Sequence, residues 1–128
     1  MNRQISLGLT MLAGIAIGAV AVQALHAQAK PFAYVVSEIT VTNQDAYDKE
    51  YVPPVLKSIQ DGGGKFIARA GKTLTFIGAP PAPRVVLLQF ESMDKAQAWF
   101  NSPATKAAAP IGEKSATFRS YAVEGLSP

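Results

Sequence analysis

The side chains able to do chemistry in this 128-residue chain are few, and their types narrow the options early. There is no cysteine, and the single histidine is His26. Downstream of it, proton transfer falls to Asp, Glu, Tyr or Lys. Thiolate or imidazole metal sites, disulfides and a His-ligated haem have no residues to build them. The acids Asp45, Asp48, Glu50 and Asp61 cluster loosely. Asp45 and Asp48 sit three apart at a helix start, where solvated carboxylates are favoured by the helix dipole, so no metal site is expected from them. Gly71-Lys72-Thr73 has the ending of a phosphate-binding loop, but the first glycine of that motif falls on Phe66 and a β-prone run follows Thr73, so nucleotide binding is not expected.

The cations Arg69, Arg84, Lys114 and Arg119 carry more information. Arg119 shares a strand face with Tyr121, and a guanidinium there needs a partner, with Glu38 and Glu91 as candidates. The competing account is an anion or carboxylate site. Tyr47, Tyr51, Trp99 and Phe100 are core aromatics by type, but buried phenols and an indole N–H need hydrogen-bond partners, which also suits pocket walls.

The elements that must position these residues are legible from periodicity. Ala33 to Val41 alternates as a strand, with Val35, Ile39 and Val41 on one face and Tyr34, Val36, Glu38 and Thr40 on the other. Thr42 to Asp45 resembles a capping box, and Tyr47, Tyr51, Val55 and Ile59 then fall four apart on one helix face. Pro53-Pro54 predicts a kink or break near Val52, and Gly62 to Gly64 ends the helix with a left-handed cap.

Lys65 to Ala70 and Thr73 to Ile77 read as short strands joined through a bulge or bend at Gly71-Lys72, followed by a stiff proline-rich loop to Pro83. Arg84 to Phe90 is a buried strand. After Ser92 the apolar positions Ala96, Trp99 and Phe100 recur at helical spacing, ending at Ser102. A short helix, Ala104 to Ala109, is capped by Ser102, Pro110 to Ser115 is loop, and Ala116 to Glu124 is the last strand.

The order β-α-β-β-α-β predicts an α+β fold: a ferredoxin-like four-stranded antiparallel sheet with both helices on one face. The other face would show parts of Tyr34, Val36, Ile67, Val85 or Val86, Leu87 or Leu88, and Tyr121 to water. Burying that patch against a second copy predicts a homodimer with sheets face to face.

Residues 1 to 29 read as a signal peptide: Arg3 at the start, an apolar run from Ile5 to Val22, and Ala27-Gln28-Ala29 at the cleavage point. Cleavage after Ala27 and an uncleaved anchor are the alternatives. The expected location is periplasmic or secreted, with residues 30 to 128 as one domain and no membrane association after cleavage. That segment holds 11 Lys and Arg against 9 Asp and Glu. Scattered lysines with so small an excess give no nucleic-acid surface.

Ala33-Tyr34-Val35-Val36, Tyr47 and Tyr51 before Val52-Pro53, and the run Gly62 to Gly71 carry a resemblance to the DUF1330 family. Pro83-Arg84-Val85-Val86, Phe90-Glu91-Ser92 and Ala98 to Pro103 extend it over most of residues 32 to 124. The resemblance implies a dimeric α/β barrel of ferredoxin-like protomers. Relatives in that superfamily include cofactor-free monooxygenases, lactone isomerases and haem enzymes. The family usually shows Gly where Ala70 stands, Tyr at Phe100 and Arg near Lys114.

These considerations lead to a dimeric binder of a small, partly apolar or anionic molecule, with no cofactor. The expected pocket residues are Tyr34, Tyr51, Arg69, Phe90, Trp99 and Lys114: Arg69 and Lys114 for charge, Tyr51 for a hydrogen bond, the others for shape. A cofactor-free monooxygenase- or isomerase-like enzyme and a structural or partner-binding module are the alternatives.

Overall fold

The computed structural model describes residues 30–128, and the expected signal peptide lies outside them. The sheet is built from β1 (Ala33–Val41), β2 (Lys65–Arg69), β3 (Arg84–Phe90) and β4 (Ala116–Glu124), all neighbours antiparallel in the order β2-β3-β1-β4. That is the order a β-α-β-β-α-β chain gives when each half crosses the sheet once. It makes a ferredoxin-like α+β fold with the helices of the described residues packed on one face.

Register assigns each strand residue to a face. Val35 pairs with Leu88 and Ala122, while Ile39 pairs with Arg84 and Phe118; this row system faces the helices. Val36 with Leu87 and Tyr121, and Glu38 with Val85 and Arg119, form the opposite, bare face. Alternation therefore fixes the core: Ala33, Val35, Ile39, Val86, Leu88 and Phe90 are all buried beneath the helices. A fully buried side chain of this size contributes roughly 1.5–3 kcal/mol. On the bare face Arg119 and Glu38 form the ion pair anticipated from sequence, Nη1 to Oε2 at 2.6 Å.

The first helical segment begins at Asn43, whose side chain accepts from the Ala46 amide, and runs as α1 (Gln44–Ala46), a π-helical turn (Tyr47–Tyr51) and α2 (Val52–Asp61). The Pro53-Pro54 pair does not break it. Both prolines fall in the first turn of α2, where a missing N–H costs least, and the wide turn before them absorbs the mismatch: the Val52 amide reaches back to the Tyr47 carbonyl. Gly63, at φ 80°, makes the expected left-handed cap.

Two other expectations are overturned. Thr73 to Ile77 is not a strand. Ala70 at φ 52° turns the chain off the sheet edge, and the bulge lies earlier, between Phe66 and Ala68, so 73–77 has no strand to pair with. Leu74, Phe76 and Ile77 stand in solvent there. The chain around Pro110 is helix, not loop. Following α3 (Met93–Asn101), Ser102 caps α4 (Pro103–Glu113), which continues through Pro110 to Lys114. Lys106, whose carbonyl loses its partner, and Pro110 are both exposed, so water satisfies what the proline cannot.

Candidate functional site

Between the sheet's covered face and the helices lies a cleft of about 610 Å³. Its floor can be read from the register as successive rows: Arg84, Ile39 and Phe118; then Arg69, Val86, Ser37 and Ser120; then Phe66, Leu88, Val35 and Ala122. Ser37 and Ser120 share a hydroxyl hydrogen bond of 2.7 Å within the second row. The roof is apolar, from Val52, Val55 and Ile59 of α2, Met93 and Trp99 of α3, and Ala108 of α4. The cleft thus has a cationic end at Arg69 and Arg84 and an apolar end toward Trp99.

The cationic end carries a chain of aromatic contacts. The Arg84 guanidinium lies over the Tyr47 ring at 5.2 Å, Tyr47 meets Tyr51 at 5.3 Å, and Tyr51 meets Phe118 at 5.4 Å. The π-turn sets both tyrosines along this edge. Gly112 lets α4 approach, since a Cβ there would stand 2.7 Å from the Tyr51 ring and 3.1 Å from that of Phe118. Burial pushes the Tyr51 phenol up to about 12, with Tyr47 adding to the shift. Burial also raises Tyr47, while Arg84 and Arg69 pull it back. Both are therefore neutral hydrogen-bond donors at neutral pH.

Among the described residues every fully buried side-chain nitrogen and oxygen has a partner, yet neither phenol hydroxyl bonds to a protein group, so both reach the open cleft. Arg69 and Arg84 likewise make no ion pair with a described residue. Arg69 only stacks over Phe66, at 4.8 Å. At the apolar end Trp99 stacks on Phe90 at 5.2 Å and donates its indole N–H to Ser58 Oγ at 3.2 Å, which passes the bond to the Val55 carbonyl.

Of the expected pocket residues, the structure brings Tyr51, Arg69 and Trp99 to this cleft. Phe90 is 1 % exposed and supports Trp99 from behind. Tyr34 lies elsewhere. It pairs with Gln89 and Val123 on the bare sheet face, because alternation puts it opposite to Val35. Lys114 is the exposed residue after α4, displaced from the cleft by the extra helical turn through Pro110. Phe118 escaped sequence reading as a site residue, although its alternation with Arg119 and its place in the row with Ile39 put it on the covered face. Arg84 and Tyr47 were noticed by type, but their contact is a tertiary one between β3 and the π-turn.

A second, smaller depression of about 190 Å³ lies beside Asp61, Gly62, Gly63, Glu91 and Lys95, without aromatic walls. Among the described residues no three metal-ligating side chains converge, and no helix is long and apolar enough to cross a membrane.

A ferredoxin-like domain with an aromatic cleft between sheet and helices is the class this geometry defines. The sequence matches the model of the domain of unknown function DUF1330 over residues 32–126, and the chain belongs to that family. No sequence among curated proteins matches it. Solved structures share the fold at low identity. The RPA0582 protein of Rhodopseudomonas palustris, of unknown function, is 14% identical with a TM-score of 0.61, covering 84% of this chain and 94% of its own. SnoaB of Streptomyces nogalater, a cofactor-independent oxygenase, is 11% identical with a TM-score of 0.53, over 77% and 96%. A Bacteroides thetaiotaomicron protein of unknown function, described as a possible oxidoreductase, is 13% identical with a TM-score of 0.52, over 76% and 100%.

Proposed function

We propose that the protein is an exported homodimer that binds a small, partly apolar molecule in the cleft between sheet and helices. The observation that carries the binding is the cleft: about 610 Å³ falls within the roughly 300–1,000 Å³ usual for small-ligand sites, and its walls are apolar and aromatic with a few unpartnered polar groups at one end. Association through the bare sheet faces is supported by Val36, Leu87, Tyr121 and Val123, an apolar set that the protomer's own helices leave uncovered.

Native mass spectrometry of the exported chain reads processing, oligomeric state and retained ligand together. A dimer of chains cleaved near Ala29 with a small extra mass is the expected result, and a monomer refutes the dimer. Binding has its own test, because Trp99 is the chain's only tryptophan. Titration with 8-anilinonaphthalene-1-sulfonate should quench Trp99 saturably, and Arg69→Ala should weaken this without loss of fold. Unchanged affinity in Arg69→Ala removes that residue from the site, and no saturable binding at all refutes the reading.

A second reading, a cofactor-free oxygenase- or isomerase-like enzyme, is favoured by the neutral Tyr47 phenol, which Arg84 stacks on and both Arg84 and Arg69 influence, and by the fold shared with SnoaB. Turnover of an activated aromatic substrate, lost in Tyr51→Phe, would establish it.

A further inference from the structure

Building on the cleft reading, we infer that the ligand is a monocarboxylate with an apolar body, its carboxylate held between Arg69 and Arg84 and its body lying toward Leu88 and Trp99. Three observations converge on this. First, the two guanidiniums are diagonal neighbours on one sheet face. Arg69 pairs with Val86, and Arg84 is two residues from Val86 on the same strand, which sets their backbones roughly 7–8 Å apart with both side chains entering the cleft. That span admits one planar anion between two forks.

Second, the polar groups at this end ask for an acceptor. Arg69 and Arg84 have donors only, and the phenols of Tyr47 and Tyr51 have protons to give and no protein acceptor among the described residues. Third, the charge selects the anion. The charged residues lining the cleft are Arg69, Arg84 and Glu113, a net of +1. A singly charged carboxylate neutralises it, whereas a phosphate dianion leaves an excess negative charge beside Glu113.

The body follows from the rows of the floor. From the Arg69 row to the Phe66–Leu88 row is two residues, roughly 7 Å, and polar side chains give way to apolar ones over that step. An aryl or short alkyl group attached to the carboxylate fits this gradient. A sugar or nucleotide would lay hydroxyls on Leu88, Val35 and Trp99.

The test is calorimetric titration of the full chain at pH 7 with 4-phenylbutanoate, its primary amide and 4-phenylbutyl phosphate. The carboxylate should bind at least ten-fold tighter than either of the others. Arg69→Gln and Arg84→Gln should each erase that preference by weakening the carboxylate far more than the amide, and Glu113→Gln should shift preference toward the phosphate. Circular dichroism checks that each variant folds. Equal binding of carboxylate and amide, or tightest binding of the phosphate, overturns the inference while the cleft reading stands. Failure of all three ligands, together with no saturable quenching of Trp99 by 8-anilinonaphthalene-1-sulfonate, overturns both.

Discussion

Replacing Gly112 by Ala should destabilise the protein, although the position lies in a helix where Ala is intrinsically better. Two opposed terms set the sign. Helix propensity favours the change by up to about 1 kcal/mol. Against it, the new methyl would stand 2.7 Å and 2.9 Å from two atoms of the Tyr51 ring and 3.1 Å from Phe118. A ring wedged between Tyr47 at 5.3 Å and Phe118 at 5.4 Å can move only toward the cleft. Overpacking of this kind costs typically 1–3 kcal/mol, leaving about 1 kcal/mol of net destabilisation. In a Tyr51→Ala background the two closest contacts are gone and Phe118, at 3.1 Å, can shift into the vacated space, so Gly112→Ala should then stabilise by up to about 1 kcal/mol. Urea denaturation followed by Trp99 emission and circular dichroism reads both, since with a slope of about 1–2 kcal/mol/M the midpoint should fall by roughly 0.5–1 M in the first background. The coupling between the two substitutions should be about 2 kcal/mol. If Gly112→Ala stabilises the parent chain, or its effect does not change sign without the Tyr51 ring, the contact does not constrain the cleft as argued.

Other perturbations test separate parts of the structure. Ser58→Ala strands the Trp99 indole N–H, now bonded at 3.2 Å, and should cost about 1–3 kcal/mol with a shift in Trp99 emission, both read in one denaturation series. Tyr51, raised above its unfolded value of 10 to about 12, contributes stability that is complete below pH 10 and lost as pH rises toward 12, a loss of up to about 2–3 kcal/mol; alkaline stability curves of Tyr51→Phe should be flatter over that window. The Ala82 amide and then Arg119 hold the Glu38 carboxyl below its usual range, so the protection of the Ala82 amide against hydrogen exchange, relative to its intrinsic rate at the same pH, should fall in Glu38→Ala, and in the parent chain as Glu38 protonates in acid. Ala70→Gly relieves a left-handed Ala at φ 52° and should be neutral to slightly stabilising in thermal melts, the relief of about 1 kcal/mol being offset by the greater freedom of an unfolded glycine.

How much of this was legible depends on whether the signal was local. Strand β1, strand β4 and the cap at Ser102 follow from alternation and short-range hydrogen bonding, and the structure places them where those patterns put them, whereas the cap expected from the box at Thr42 to Asp45 falls one residue on, at Asn43. The pairing of Arg119 with Glu38 needed only correct faces and the sheet order. What failed turned on context. Leu74 to Ile77 has the composition of a strand, but a strand needs a neighbour, and the turn at Ala70 takes the segment away from β3. Pro110 reads as a helix stop, yet its lost bond lies on the water side and packing on the other side, around buried Gly112, holds the turn. The site was half visible for the same reason. Tyr51 and Trp99 lie on faces that periodicity assigns, whereas Arg69 shares the cleft face with Phe66 because of the bulge between Phe66 and Ala68, and the meeting of Arg84 with Tyr47 depends on the π-turn.

That turn has a consequence for the length of the chain. In an α-helix each residue advances the side chains by about 100° around the axis. Tyr47–Tyr51 spends one residue more than an α-turn needs, so the residues before and after it are out of helical phase by one position. Deleting one of Asp48, Lys49 or Glu50 would let a regular helix form through the segment and swing Tyr47 about a quarter turn from Arg84. The helix would gain regularity and the cleft would lose one wall, which makes the spacing of two tyrosines, and not only their identity, a quantity set by the site.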